Sequence, residues 1–155
     1  LTFLYRSPKL EMKALNIGMV AEKYETTLQL SYEQALEMAK YTKGYPFAFQ
    51  VLGYLCWRNE AEWTEVLPEY SQYLEEYVYE KLWSELSSND RKVLIAMTEA
   101  DDQKVGSIRA KAGKSSSSFG VYRDRLIKKG IVVATEYGHL DFALPRFREF
   151  VWRMR

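Results

Sequence analysis

The sequence predicts a mainly α protein, a helical bundle followed by a winged helix-turn-helix with a small β-hairpin. Three observations carry that prediction. Apolar residues recur at helical spacing along most of the 155 residues. Capping and breaking residues cut this pattern into short helices with brief links, which must pack against one another. Near the end, the order helix, helix, turn, helix, two short strands is that of a winged helix-turn-helix.

The elements follow in order. Thr2-Phe3-Leu4-Tyr5 is a β-prone run stopped by Arg6-Ser7-Pro8, and residues 10–15 alternate apolar and polar side chains as a half-buried strand would. From Asn16 the period becomes helical, with Ile17, Val20, Ala21, Tyr24 and Leu28 on one face. Ser31 with Gln34 three residues on forms a capping box, and Ala35, Leu36, Met38 and Ala39 follow as an apolar face closed by Lys43-Gly44. Pro46 opens a third helix, where its missing N–H costs nothing, with Phe47, Val51, Leu52, Leu55 and Cys56 inward. Residues 1–59 are thus one module.

Residues 60–86 read as an acidic, tyrosine-rich helical connector, opened by Pro68 and running through Leu86. Residues 87–155 form the winged-helix module. Ser87 or Ser88 caps a helix with Val93, Leu94, Ala96 and Met97 inward. A short helix spans residues 105–111, Gly113 turns the chain, and residues 115–129 form a longer helix ended by Gly130. Residues 131–134 and 140–142 read as strands around a Tyr137-Gly138 turn, and Pro145 starts a last helix with Phe147, Phe150, Val151 and Met154 on one side.

Composition bounds the function. At 47% hydrophobic and 15% aromatic the chain can bury a core, which excludes intrinsic disorder. One cysteine, Cys56, and one histidine, His139, exclude both a disulfide framework and a Cys/His zinc site. The longest apolar stretch, around residues 46–57, holds Gln50 and Gly53 and falls short of the roughly 20 residues that cross a bilayer, so no membrane partner is expected. With Leu1 first and no signal-peptide pattern, the chain reads as a piece of something longer. Net charge is +1 but uneven: +2 over residues 1–59, −9 over residues 60–102 and +8 over residues 103–155, a basic end that seeks anions or an acidic partner. Gly113-Lys114-Ser115 lacks the earlier glycine and preceding strand of a phosphate loop, and the glutamates of the connector read as a solvated helix face. His139 has only Glu136 or Asp141 to orient it, and no catalytic role is read for it.

Residues 42–53, Thr-Lys-Gly-Tyr-Pro-Phe-Ala-Phe-Gln-Val-Leu-Gly, place a glycine C-cap and a proline at the next helix start in a tight corner. Here the sequence resembles the G-x-P signature of the lid subdomain in AAA-like and STAND-type ATPases, particularly the archaeal-type ATPases and their bacterial relatives. The run Phe3-Leu4-Tyr5-Arg6-Ser7-Pro8 is similar to the last strand of that ATPase core. The resemblance implies that Gly44, Tyr45 and Pro46 lie against the adenine and ribose, and that Arg6 sits near the nucleotide or the lid. It implies ATP and Mg as ligands of a full-length parent. The Walker A and Walker B segments are absent from these 155 residues, so the chain itself is expected to need no cofactor and to be no enzyme. A simple helical hairpin accounts for the same corner without a nucleotide.

Residues 107–129 resemble the helix-turn-helix of winged DNA-binding domains. Phe119, Tyr122 and Leu126 fall on the buried side of the long helix, with Ser117, Val121, Asp124 and Lys128 opposite and Arg123 and Arg125 on the flanks. Lys114, Ser115, Ser117, Arg123, Arg125 and Lys128 are the candidate DNA contacts, the serines as a phosphate site at a helix N-terminus and the arginines toward phosphates or guanine edges. Asp124 opposes the DNA backbone unless it accepts from a cytosine, and the wing carries no Lys or Arg. A protein-docking surface and a purely structural element remain alternatives. The expected function is regulatory, a lid coupled to a DNA-binding winged helix in a cytoplasmic protein. The alternative is an interaction or autoinhibitory module that docks on the upstream ATPase core or on another copy of the chain.

Overall fold

In the computed structural model, which describes residues 13–60 and 62–155, the chain is mainly helical with one two-stranded antiparallel hairpin. Helix α1 (Ile17–Leu28) packs extensively on α2 (Tyr32–Tyr41), and α3 (Pro46–Asn59) completes the bundle. Asn16 caps α1 by accepting from Met19 N. The capping box of α2 forms in both directions, Gln34 N to Ser31 Oγ at 3.3 Å and Ser31 N to Gln34 Oε1 at 3.2 Å. Val20, Ala21 and Tyr24 of α1, Ala35, Met38 and Ala39 of α2, and Val51, Leu52 and Leu55 of α3 are buried together. The expected strand at residues 10–15 does not form where it can be followed, since residues 13–15 are in no strand. Leu15 N donates instead to Gly44 O at 2.7 Å. Residues 2–5 and 10–12 lie outside the described residues.

The connector is α4 (Leu67–Leu74), a π-helical turn (Glu75–Tyr79) and α5 (Glu80–Glu85) rather than one continuous α-helix. The π turn follows from where the large apolar residues stand. Tyr70, Leu74, Tyr79 and Trp83 are all buried, at spacings of four, five and four. A turn with i→i+5 hydrogen bonds keeps residues five apart on one face, which an α-helix does not.

The second module comprises α6 (Ser88–Glu99), α7 (Val105–Lys111), α8 (Ser116–Lys128), β1 (Val132–Ala134), β2 (Leu140–Phe142) and α9 (Phe147–Arg153). Ser87, of the two serines considered, is the N-cap of α6 and accepts from Asp90 N. In the hairpin Val132 pairs with Phe142, Val133 with Asp141 and Ala134 with Leu140. A bridge between Lys104 and His139 brings the start of α7 against the second strand, with Leu140 N donating to Gln103 O at 2.9 Å. Pro145 does not start the last helix. Arg146 at φ 59° intervenes, α9 begins at Phe147, and Met154 is exposed rather than inward.

The connector's second half belongs with this module. The Tyr79 ring packs edge-on to Phe147 at 4.9 Å and near Phe150, Trp83 meets Phe150 at 6.2 Å, and Tyr79 Oη donates to Pro145 O. The connector thus contacts both modules, one on each side of the π turn: Tyr70 Oη donates to Tyr41 O in the bundle, while Tyr79 serves the winged helix.

Gly44 has φ +72°, and a Cβ there would collide with the Leu15 carbonyl oxygen. Strain and collision both act against a side chain. Gly44→Val is therefore expected to destabilise the protein by at least about 1–2 kcal/mol, read as a lower urea midpoint at unchanged m-value. A midpoint equal to wild type would show that the corner relaxes freely.

Candidate nucleic-acid interface

The turn from α7 into α8 is built by local chemistry. Gly113 at φ +62° reverses the chain, Ser115 caps α8 by accepting from Ser118 N at 3.3 Å, and Arg109 of α7 donates to Ser116 Oγ. Phe119 and Leu126 are buried, and Tyr122 is half-buried. Ser117, Val121, Asp124 and Lys128 are exposed, at steps of four, three and four residues, as one strip along the outer face. Gly120 lies beside this strip, and a Cβ at Gly120 would meet nothing within 4 Å.

The predicted contacts separate into groups. Lys128, Ser115 and Ser117 are exposed. Lys114 is half-buried, its Nζ donating to Asn89 Oδ1 at 2.6 Å and standing 5.2 Å from the Tyr122 ring centre. Arg125 faces inward to α6, donating to Asp90 Oδ1 from two nitrogens at 3.1 and 2.7 Å and to Ser87 Oγ at 3.3 Å. That geometry removes Arg125 from the outer strip. Arg123 lies under the wing in a cavity of about 580 Å³ with Val105, Ala134, Tyr137 and Leu140, its Nε buried without a partner and 3.9 Å from Asp124. The wing tip presents Tyr137, fully exposed, and Glu136. His139 Nδ1 is 3.1 Å from Tyr137 O and 3.9 Å from Glu136.

The Asp90 side chain is only 2% exposed. Burial alone would raise its carboxyl, but hydrogen bonds from Arg125 and Ser87 outweigh it and hold the group below the usual carboxylate range.

At the other end, the bundle corner is closed by the chain itself. Thr42 Oγ1 donates to Ala39 O and accepts from Gly44 N, and the Leu15 backbone fills the side of Gly44. Of the residues implied to contact nucleotide, Tyr45 and Pro46 line a cleft of about 400 Å³ with Val78, Leu82, Ile127 and Val133. Burial pushes the Tyr45 hydroxyl up and the Cys56 thiol up to about 11, so neither ionises near neutrality. Arg6 lies outside the described residues. Lys43, unremarked in the sequence beyond closing a helix, spans the modules: its Nζ donates to Phe142 O at 2.7 Å and sits 3.5 Å from Asp141. Asp90 falls in the acidic segment of the sequence, where the Ser87-x-x-Asp90 spacing of an N-cap pair is the signal that marks it.

Among the described residues no group of three His, Cys, Asp or Glu side chains converges as a metal site, and no helix is long and apolar enough to cross a membrane.

Fold and site together define a winged helix-turn-helix carried on a helical bundle. A family profile described as a domain of unknown function, DUF8462, matches residues 76–151, from within the π turn to α9. Neither a curated protein nor a solved structure matches the chain.

Asp90→Ala strips Arg125 of its partner and is expected to cost on the order of 1–2 kcal/mol at pH 7, since Arg125 keeps partial access to water. The sign of the pH dependence follows from the lowered carboxyl: the stabilisation is present above about pH 4 and lost as pH falls through the folded-state pKa. Urea melts of wild type and variant should therefore converge in acid; an equal gap at pH 7 and pH 2 would contradict the ion pair.

Proposed function

We propose that the chain is a non-catalytic regulatory unit of an AAA or STAND-type ATPase, in which a lid-like bundle is coupled to a winged helix that engages double-stranded DNA. The carrying observation is the outer face of α8, where an exposed strip is accompanied by a mid-helix glycine that no packing contact requires. Such a glycine costs about 1 kcal/mol relative to alanine, and its use here is close approach from outside. Lys111, Lys114, Lys128 and Lys129 bracket α8 and supply cations for phosphates. Coupling is supported by Lys43, which ties the bundle corner to β2, and by Tyr79, which ties the connector to the segment before α9. In this reading ATP and Mg are held by an ATPase core in a cytoplasmic protein, and Tyr45 and Pro46, with Gly44 as their hinge, face the nucleotide.

A second reading has one specific support. Val121 is 61% exposed and Tyr137 fully so, with Asp124 between cationic ends, a surface that also fits a protein partner such as the ATPase core or another copy of this chain.

Salt separates the two. Roughly four phosphate contacts give a slope near −3.6 in log K against log salt, so affinity for random-sequence duplex should fall about a hundredfold between 50 and 200 mM. Lys128→Ala should flatten the slope by about 0.9, and absence of binding at 50 mM would end the DNA reading. DNA-independent self-association abolished by Val121→Asp would establish the second. For catalysis, the 155-residue chain is expected to release no phosphate from ATP above buffer; steady release through repeated purification would overturn its non-catalytic role.

A further inference from the structure

We infer that α8 reads pyrimidines, Val121 packing on a thymine methyl and Asp124 accepting from a cytosine amino group at a neighbouring base pair. The inference rests on the DNA reading of α8 and goes beyond it to the bases selected. Arginine to guanine is the commonest specific contact in the major groove. The outer strip carries no arginine: of the two on its flanks, Arg125 is held by Asp90 and Ser87, and Arg123, its side chain 42% exposed, lines the cleft beside the wing with its Nε buried. What the strip does present is an aliphatic side chain 61% exposed and, three residues on, a carboxylate 76% exposed whose cation partner among the described residues is Arg123 Nε at 3.9 Å.

Each of these has one good counterpart in the groove. The thymine methyl is the apolar group of the major-groove edges, so it is what an exposed valine can desolvate against. A carboxylate only accepts. At cytosine it meets the N4 amino group, whereas at adenine the N6 amino group stands beside N7, whose lone pair repels the second carboxylate oxygen. Three helical residues rise about 4.5 Å, close to the 3.4 Å step of the duplex, which places the two bases next to each other. Gly120 lies on the same side of α8 as Val121 and Asp124 and leaves the backbone free to come close. The lysines at both ends of α8 hold phosphates, while Asp124 lowers affinity for sequences that offer no amino group.

The experiment is selection of the intact 155-residue chain on a random duplex library at 50 mM salt, followed by titration of the selected duplex. Wild type is expected to enrich adjacent thymine and cytosine on one strand. Asp124→Asn should exchange cytosine for adenine with a change in preference of roughly tenfold or more, and uracil in place of thymine should weaken wild type at least about fivefold but leave Val121→Ser unaffected. Both side chains are exposed, so unchanged thermal unfolding of the variants verifies their folding. Gly120→Ala should raise the melting temperature yet weaken binding of the selected duplex. Salt-dependent binding without base preference, or a preference unmoved by Asp124→Asn, overturns this inference and leaves the DNA reading standing. Absence of any binding overturns both.

Discussion

A single five-residue step in the connector holds the two modules to one another. Tyr70 and Leu74 close the underside of the helical bundle, and Tyr79 and Trp83 close the winged helix against α9. In a regular α-helix, residues 74 and 79 would point about 140° apart, and one of the two cores would lose its largest aromatic. The π turn at Glu75–Tyr79 removes that conflict, so one continuous helical connector serves both cores. Burying rings of this size dominates the energetics of such a junction, and the Tyr79 hydroxyl satisfies the Pro145 carbonyl at the left-handed entry to α9. Lys43 adds a second tie on the other side of the hairpin.

The charge asymmetry has a partly internal resolution. Arg125 of the basic end meets Asp90 of the acidic segment, and Arg153 meets Glu75, while Arg146 and Arg148 pair with Glu149 and Asp141. Apart from the pair to the buried Asp90, these are exposed pairs that contribute little stability each, but all of them hold arginines against the protein's own carboxylates. Around α8 the cations off the outer strip's centre are mostly lysines, with Arg123 turned to the cleft beside the wing, and lysines position a backbone without reading bases. Base selection, in the DNA reading, therefore falls to uncharged and acidic side chains on the strip.

Local chemistry was legible along the chain. The Ser31 and Gln34 capping box, Pro46 at a helix start, the helix over residues 105–111 and the strand over residues 140–142 all follow from residues within one turn of each other. The outer strip of α8 was equally readable, because a 3.6-residue period fixes which side chains oppose Phe119 and Leu126. The alternation over residues 10–15 misled at its described end, residues 13–15, because alternation makes a strand only where another strand is available to pair; here the Gly44 carbonyl takes the Leu15 N–H instead. Pro145 misled for a related reason: a proline is compatible with a helix start, but Arg146 turns left-handed before α9 begins.

The sequence by itself determined the mainly helical class, the capped helices and the short hairpin, because these depend on neighbours a few residues apart. Tertiary structure alone decided the roles of individual charges. Arg125 and Arg123 are equivalent flanking cations in a helical projection, yet one meets a buried Asp90 thirty-five residues away and the other lines a cleft beside the wing. Lys43 reads as the end of a helix until the fold brings Phe142 beside it. Partners so far apart in the chain leave no periodic trace in sequence, since nothing but the packed core sets the distance between them.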